Sequence, residues 1–392
     1  MDNACVGSRI INKFSNSQPN VSIIGAGVCG LSIGWRLASA GCQVNIYERG
    51  KSGRAASWAA AGMLAAGVEC EPGEENLLKL TTLSQKLWPK FLHDLSKDSK
   101  QNPEYRNEGT LVVAINRDDA TRLEFTYNFQ KNLGINLEWL DGYETRKLEP
   151  HLNPSIVAGV YSSNDHQINN RLLMRSLEEA FVHKEGIIHE YTEVTDIETH
   201  NESVKGIIVD GSLIETDVVI IAAGAWSNNI NGLTKECIPP VRPVKGQMLS
   251  LSMEQNSPLL KHVIWAPNAY LVPRNDGSLL VGATIEENGF NPDLTAGGIF
   301  SLLEASWRVI PNIEELPIKE MWAGFRPTSR DDAPILGATK IKGLVMATGH
   351  HRNGILLAPV TANAVSELIL NGETTKEVKP FSIERFNNNI EH

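Results

Sequence analysis

Several things are scarce in this 392-residue chain, and each scarcity narrows what it does. Basic charge is short. The net charge is −10 and no local run is basic, which argues against nucleic acid or an anionic membrane as partner. No apolar stretch approaches the roughly 20 residues that a membrane span needs. Cysteines number only five (Cys5, Cys29, Cys42, Cys70, Cys237), scattered and never spaced C-x-x-C. That pattern fits free thiols in a reducing cytoplasm better than disulfides or zinc. No Ser/His/Asp arrangement or metal-ligand cluster stands out, so no metal is expected. His166, His189 and His200 read as ordinary surface or loop histidines. Residues 1–20 lack the apolar core of a secretory signal and read as a disordered polar tail, and residues 373–392 as a C-terminal tail. Hydrophobic content of 42% and charge of 21% are ordinary for a large core, and the length favours two intimately packed domains.

What is present begins with glycines. In Val21–Gly30, VSIIGAGVCG, four apolar-leaning residues read as a short buried strand, and Gly25, Gly27 and Gly30 follow at G-x-G-x-x-G spacing. The run Leu31–Ala40 reads as a helix, and a second strand, Val44–Tyr47, ends in Glu48. Each part serves a dinucleotide. One glycine makes the strand-to-helix turn, the next lets backbone approach a pyrophosphate, and the third lets helix pack on strand. The pyrophosphate meets unpaired N–H groups at the helix N-terminus. Glu48 accepts hydrogen bonds from a ribose diol, which disfavours a 2′-phosphate and hence NADP. The unit predicts a dinucleotide and leaves NAD and FAD open. Cys29, inside the turn, reads as a small space-filler.

Further along, Ala55–Leu64 reads either as a packed helix or as a small-residue surface for a large flat ligand. Glu74–Lys97 predicts a helix broken or kinked at Pro89, Gly109–Ile115 a strand, Arg117–Asn132 a helix capped by Gly134, and Asn169–Lys184 another helix. Thr192–Thr216 reads as short strands with a turn at Asp210-Gly211, and Asp217–Ala222 as a buried strand running into Ala223–Trp226. Val241–Glu286 is mostly strand, with turns expected at Lys245-Gly246 and Asn275–Gly277. Leu294–Val309 reads as a helix, Gly343–Thr348 as a strand, and Ile355–Asn371 as a helix. Dinucleotide-type elements thus recur at the start, middle and end. The expected fold is α/β. A Rossmann-type cofactor domain occupies residues 21–80, 150–240 and 320–372, and an inserted, strand-rich α+β substrate domain occupies 81–149 and 241–319.

The glycine fingerprint, Ala59–Met63 (AAAGM), Ile220–Ala225 (IIAAGA), Trp322–Pro327 (WAGFRP) and Gly349–Leu357 (GHHRNGILL) occur in this order. Together they resemble the D-amino-acid oxidase-like FAD-dependent oxidoreductases, and within them the glycine oxidases of the thiamin pathway, over about Val21–Leu370. The resemblance implies FAD. Gly25, Gly27, Val28, Cys29, Gly30, Glu48 and Arg49 would line the ADP end. Ala56, Ser57, Ala61, Gly62 and Met63 would approach the pyrophosphate and flavin, and Val194 the adenine through its backbone. His350, His351, Arg352, Asn353, Gly354, Ile355 and Leu356 would wrap the isoalloxazine edge, with a helix from Ile355 aiming its N-terminus at the flavin. With no cysteine in Gly349–Leu357, noncovalent FAD is expected.

For the substrate, the resemblance assigns Arg326 to an amino-acid carboxylate, which a planar guanidinium matches bidentately. A structural ion pair with Asp331 or Asp332 is the other reading. Tyr270 matches a tyrosine near that carboxylate, Arg352 a second arginine beside the flavin, and Met63 a side chain capping a small pocket. Asn268 and Ile285 depart from the histidine and methionine usual at their positions, which bears on fine substrate preference. The implied activity is oxidation of glycine, with sarcosine and small D-amino acids as further candidates, to the imine or glyoxylate. Dioxygen is reduced to hydrogen peroxide, and the imine feeds thiazole synthesis. The competing readings are a D-amino-acid dehydrogenase that reduces a quinone, or a non-catalytic flavin-binding subunit. A cytoplasmic homo-oligomer is expected.

Overall fold

The computed structural model describes residues 18–389, so Cys5 and most of the expected N-terminal tail lie outside the described residues. A six-stranded sheet carries the cofactor elements, in the order Ile335–Ala338, Leu344–Thr348, Val218–Ile221, Asn20–Ile24, Gln43–Tyr47, Ile187–His189. All neighbours in it run parallel except the antiparallel pair Ile335–Ala338 and Leu344–Thr348. Successive side chains on a strand point to opposite faces, and here both faces are covered. Val21, Ile23, Val218, Ile220 and Val345 pack on one side with Trp35, Trp88, Phe181 and Leu368. Ile24, Val219, Ile221, Leu344 and Met346 pack on the other with Ile197 and Ile207. Two-sided burial is why these strands are continuous apolar runs rather than alternating ones.

The helices Val28–Ser39, Glu75–Asp98, Asn170–His183 and Ala358–Asn371 supply the first cover. An antiparallel sheet of Val194–His200, Ser203–Val209 and Ser212–Glu215 supplies the second, its last two strands joined by a turn with Asp210 (φ 48°) and Gly211 (φ 74°) left-handed. The second large unit is an eight-stranded sheet. Its order is Ile318–Ser329, Val241–Ser252, Ser278–Gly282, Ala269–Pro273, Val263–Ala266, Thr110–Ala114, Ala158–Ser162, Glu138–Asp141, backed by the helix Ala296–Val309.

Some local expectations change. Ala158–Ser162, expected with the cofactor elements, pairs with Thr110–Ala114 and Glu138–Asp141 in the eight-stranded sheet. Ile318–Ser329 likewise pairs with Val241–Ser252. The helix Glu75–Asp98 packs against the six-stranded sheet's helices through Leu80, Trp88, Phe91 and Leu95. It runs unbroken through Pro89, which sits on its exposed side. Lys245-Gly246 is not a turn but the middle of the strand Val241–Ser252. Ala55–Leu64 is not a packed helix. It contains one helical turn, Ala56–Ala59, then a two-residue strand, Met63–Leu64, paired with His166–Gln167.

Candidate active site

A cavity of about 1510 Å³ opens at the C-terminal ends of the parallel strands, with Ile24, Tyr47 and Ala347 on one side and Met248, Tyr270 and Arg326 of the eight-stranded sheet on the other. Pockets for drug-sized ligands run to about 1,000 Å³, so this one has room for a dinucleotide together with a small substrate.

At the dinucleotide end, Gly25 takes φ +106°, and a Cβ there would lie 2.5 Å from the Ala222 carbonyl oxygen. A Cβ on Gly30 would lie 2.0 Å from the Gly25 carbonyl oxygen, so Gly30 is required for packing and does not itself line the cavity. Gly27 caps the helix Val28–Ser39 without a side chain, leaving the N-terminus open to a ligand. Glu48 accepts the N–H groups of Ala26 and Gly50, each at 3.0 Å, and so ties the turn to the second strand. Its carboxylate lines the cavity with lone pairs to spare. Ser57 Oγ accepts from Val28 N at 2.9 Å, bringing the alanine-rich segment against the helix start. Arg49 lies over the Trp226 ring at 3.7 Å, and Val194 lines the same end.

Ala56, Ser57, Ala61, Gly62 and Met63 all face the cavity. So do His350, His351, Arg352, Gly354 and Ile355, whereas Asn353 and Leu356 do not. Leu356 is buried, and its carbonyl accepts from Ser84 Oγ (2.6 Å) and Trp88 Nε1 (3.0 Å). The helix begins at Ala358 rather than Ile355. Pro359 near its start was the available signal, because proline is tolerated in a helix's first turn. His351 adopts φ +47° and its Nδ1 is 2.8 Å from Thr328 Oγ1. Burial pulls His350 down to about 4 and His351 to about 3, the latter helped by Arg352, Arg326 and Arg242, so both rings are neutral at pH 7. The fold brings Cys29 within 3.6–3.7 Å of His350, a neighbour that sequence proximity does not reveal. Burial pushes the Cys29 thiol up to about 12, so it stays protonated and poorly nucleophilic.

At the substrate end, Arg326 Nη1 donates to the carbonyls of Thr284 (3.1 Å) and Lys245 (3.4 Å). Among the described residues it has no carboxylate partner. Asp331 is instead paired with Arg385, at 2.7 and 2.9 Å. Gly246 explains itself here, since a Cβ on it would lie 2.6 Å from Arg326 Nη1. The Tyr270 phenol sits 3.7 Å from Met248 Sδ, and burial raises its pKa while the Arg326 charge opposes the rise. Arg352 is differently placed. Its Nε bonds Glu69 at 3.1 Å and its Nη2 bonds Glu74 at 2.8 Å, so its charge is already neutralised. Burial pushes Glu69 up to about 7, with Arg352 opposing and Asp165 and Glu74 adding to the rise. Asn268, in a left-handed turn at φ +66°, and the exposed Ile285 line the cavity's rim.

Sequence reasoning did not find Glu69, Asn170 or Arg274. Glu69 carries a weak signal as a lone acid among apolar residues Ala65–Cys70, while the other two act only through contacts distant in sequence.

The sequence profile of the FAD dependent oxidoreductase (DAO) family matches residues 20–368. The chain is 33% identical to glycine oxidase of Geobacillus kaustophilus over 93% of this chain and 97% of that protein. The crystal structure of glycine oxidase from that organism superposes with a TM-score of 0.87, at 32% identity, covering 94% of this chain and 99% of that one. The bifunctional protein ThiO/ThiG of Trichormus variabilis is 34% identical over 94% of this chain, which spans only 55% of that longer relative. With the glycine turn, Glu48 and the cavity in place, the chain belongs to the FAD-dependent oxidoreductase (DAO) family.

Proposed function

We propose that this protein oxidises glycine with FAD and dioxygen, with sarcosine and small D-amino acids as further candidate substrates. Products are the imine or glyoxylate and hydrogen peroxide, and the imine supplies thiamin thiazole synthesis. The observation that carries the reading is Arg326, a guanidinium in the cavity with no carboxylate partner among the described residues. The turn Gly25–Gly30, Glu48, the segment 56–63 and the residues around His350 fit FAD, because a Cβ at Gly25 or Gly62 would collide with backbone. When bound, FAD supplies the two-electron acceptor for the substrate Cα–H bond, and dioxygen restores it.

The protein's own contribution is orientation and electrostatics. Arg326 fixes the substrate carboxylate as a bidentate fork. The protonated Tyr270 phenol beside it donates a further hydrogen bond, and Met63 closes the small pocket. Arg352, neutralised by Glu69 and Glu74, braces the flavin edge rather than adding a second free cation. Noncovalent attachment is favoured because Cys29 is the cavity cysteine and remains a thiol. Retention of Arg326 and Tyr270 at one end of the cavity speaks against a non-catalytic subunit. No helix among the described residues is long and apolar enough to cross a membrane, and we place the enzyme in the cytoplasm as a homo-oligomer. The test is peroxide release by purified protein with glycine, sarcosine, D-alanine and D-proline. Glycine-dependent peroxide is expected. Dye reduction without peroxide would indicate the dehydrogenase instead.

A further inference from the structure

The segment Ser57–Ala61 is gripped by side-chain donors along its length. Asn170 Nδ2 donates to the carbonyls of Ser57 (2.8 Å) and Trp58 (3.0 Å). Trp322 Nε1 donates to the Ala59 carbonyl at 3.0 Å, and Arg274 Nη2 to that of Ala61 at 2.6 Å. Arg274 also holds the Ile168 carbonyl (2.7 Å), Asn170 Oδ1 (3.1 Å) and Gln167 Oε1 (3.3 Å), so one guanidinium fixes both the segment and its neighbouring donor. All three donors are buried, at 6% exposure for Arg274, 1% for Asn170 and 7% for Trp322. Burying an arginine without a carboxylate partner is costly, and among the described residues Arg274 has none. A role in packing alone would be met by an apolar side chain.

The N–H side of the segment completes the picture. The N–H groups of Trp58, Ala59 and Ala60 return to the carbonyls of Ala55 and Ala56. Those of Ala61 and Gly62 donate to no acceptor among the described residues, although both residues are buried and line the cavity. Buried backbone donors rarely go unpaired, so this pair is aimed at a ligand. Gly62 has no room for anything else, since at φ +70° a Cβ would lie 2.0 Å from the Ile168 carbonyl oxygen.

We propose that Arg274, Asn170 and Trp322 are positioning residues that take the carbonyls of residues 57–61 and thereby present the N–H groups of Ala61 and Gly62 to acceptor atoms of the flavin ring. The inference rests on FAD lying along this segment. A guanidinium suits the task because it offers five N–H donors in a fixed plane, where lysine offers three that rotate.

The experiment compares Trp322→Phe, Arg274→Lys and Arg274→Met with wild type. Each protein is purified with its FAD, then stripped and titrated with FAD, and the visible spectrum and reduction potential are recorded at saturation. Trp322→Phe removes a single donor and should weaken FAD binding about fivefold, and Arg274→Met tenfold or more. Both should shift the flavin absorption band and the potential of the saturated protein, and Arg274→Lys should restore part of each. A merely structural role would lower melting temperature and leave the spectrum and potential of the saturated variants at wild-type values. That result overturns the proposal. If Arg274→Met does not fold, Trp322→Phe and Arg274→Lys decide on the same readouts. Wild-type protein without flavin in any preparation would overturn the cofactor and the clamp together, a different outcome from variants that bind FAD as wild type does.

Discussion

Replacing Arg326 by alanine is the most direct test of substrate recognition. Glycine has almost no apolar surface, so its carboxylate must provide most of the binding and the alignment of Cα. In the structure Arg326 Nη1 donates to the carbonyls of Thr284 and Lys245, at 3.1 and 3.4 Å, Tyr270 stands beside the guanidinium, and no carboxylate among the described residues pairs with it where it lines the cavity. Removing the guanidinium leaves the substrate carboxylate without its charged partner, a loss of about 2–5 kcal/mol where the bound substrate excludes water from the pair. At about 1.4 kcal/mol per decade, kcat/KM for glycine should fall by about 30-fold to several thousandfold. Arg326→Lys should recover part of this, because a point charge lacks the fork. The assay is steady-state peroxide release with glycine, paired with flavin absorbance to show that FAD is retained. A primary amine without a carboxylate is the control and should barely distinguish the forms. Near-normal glycine turnover at low substrate in a flavin-loaded Arg326→Ala protein would refute the reasoning. Arg352 would then be next to test, although its pairing with Glu69 and Glu74 argues against it.

Other outcomes follow from the same geometry. Gly246→Ala places a methyl 2.6 Å from Arg326 Nη1, so it should lower kcat/KM for glycine by about tenfold while FAD stays bound, which glycine titration checks. Glu48→Ala strands the N–H groups of Ala26 and Gly50 as well as the ribose. FAD affinity should drop about one to two decades in a titration of apoprotein, and an unchanged affinity would remove Glu48 from the ribose. Glu69, raised to about 7 from 4.5, binds its proton more tightly folded than unfolded. Its favourable contribution is complete below about pH 4.5 and is lost as pH rises to about 7. His350, lowered to about 4, works in the opposite sense, so its contribution is complete above pH 6.5 and lost toward pH 4. Glu69→Gln should therefore gain melting temperature relative to wild type as pH climbs from 4.5 to 7, and a constant difference would contradict the assignment.

The cofactor half of this molecule was legible because its signals are local. A strand buried on both faces shows as an unbroken apolar run such as Val218–Ile221, and a turn that tolerates no Cβ shows as glycine at Gly25 and Gly30. What failed to show was decided over long separations. Nothing near Ala158–Ser162 says that its partners are Thr110–Ala114 and Glu138–Asp141 rather than the parallel strands. Gly246 looked like a turn residue, but its missing side chain makes space for a guanidinium on the neighbouring strand. Arg352 is expected beside the flavin, but nothing near it in sequence shows its partners, Glu69 and Glu74, which lie 283 and 278 residues away. Pro89 reads locally as a break, yet the helix Glu75–Asp98, packed through Leu80, Trp88, Phe91 and Leu95, continues through it.

The six-stranded sheet draws its strands from residues as far apart as Asn20 and Thr348, and this dictates the order of events during synthesis. Val218–Ile221 pairs with Asn20–Ile24 on one side, but its other neighbour, Leu344–Thr348, is made more than a hundred residues later. At roughly 5–20 residues per second, a nascent chain waits about 6–25 seconds with that apolar edge unpaired. Unpaired strand edges seed aggregation. A chain truncated anywhere before Leu344 keeps this edge permanently, however intact its glycine turn, so the yield of soluble protein depends on the last strand reaching the sheet.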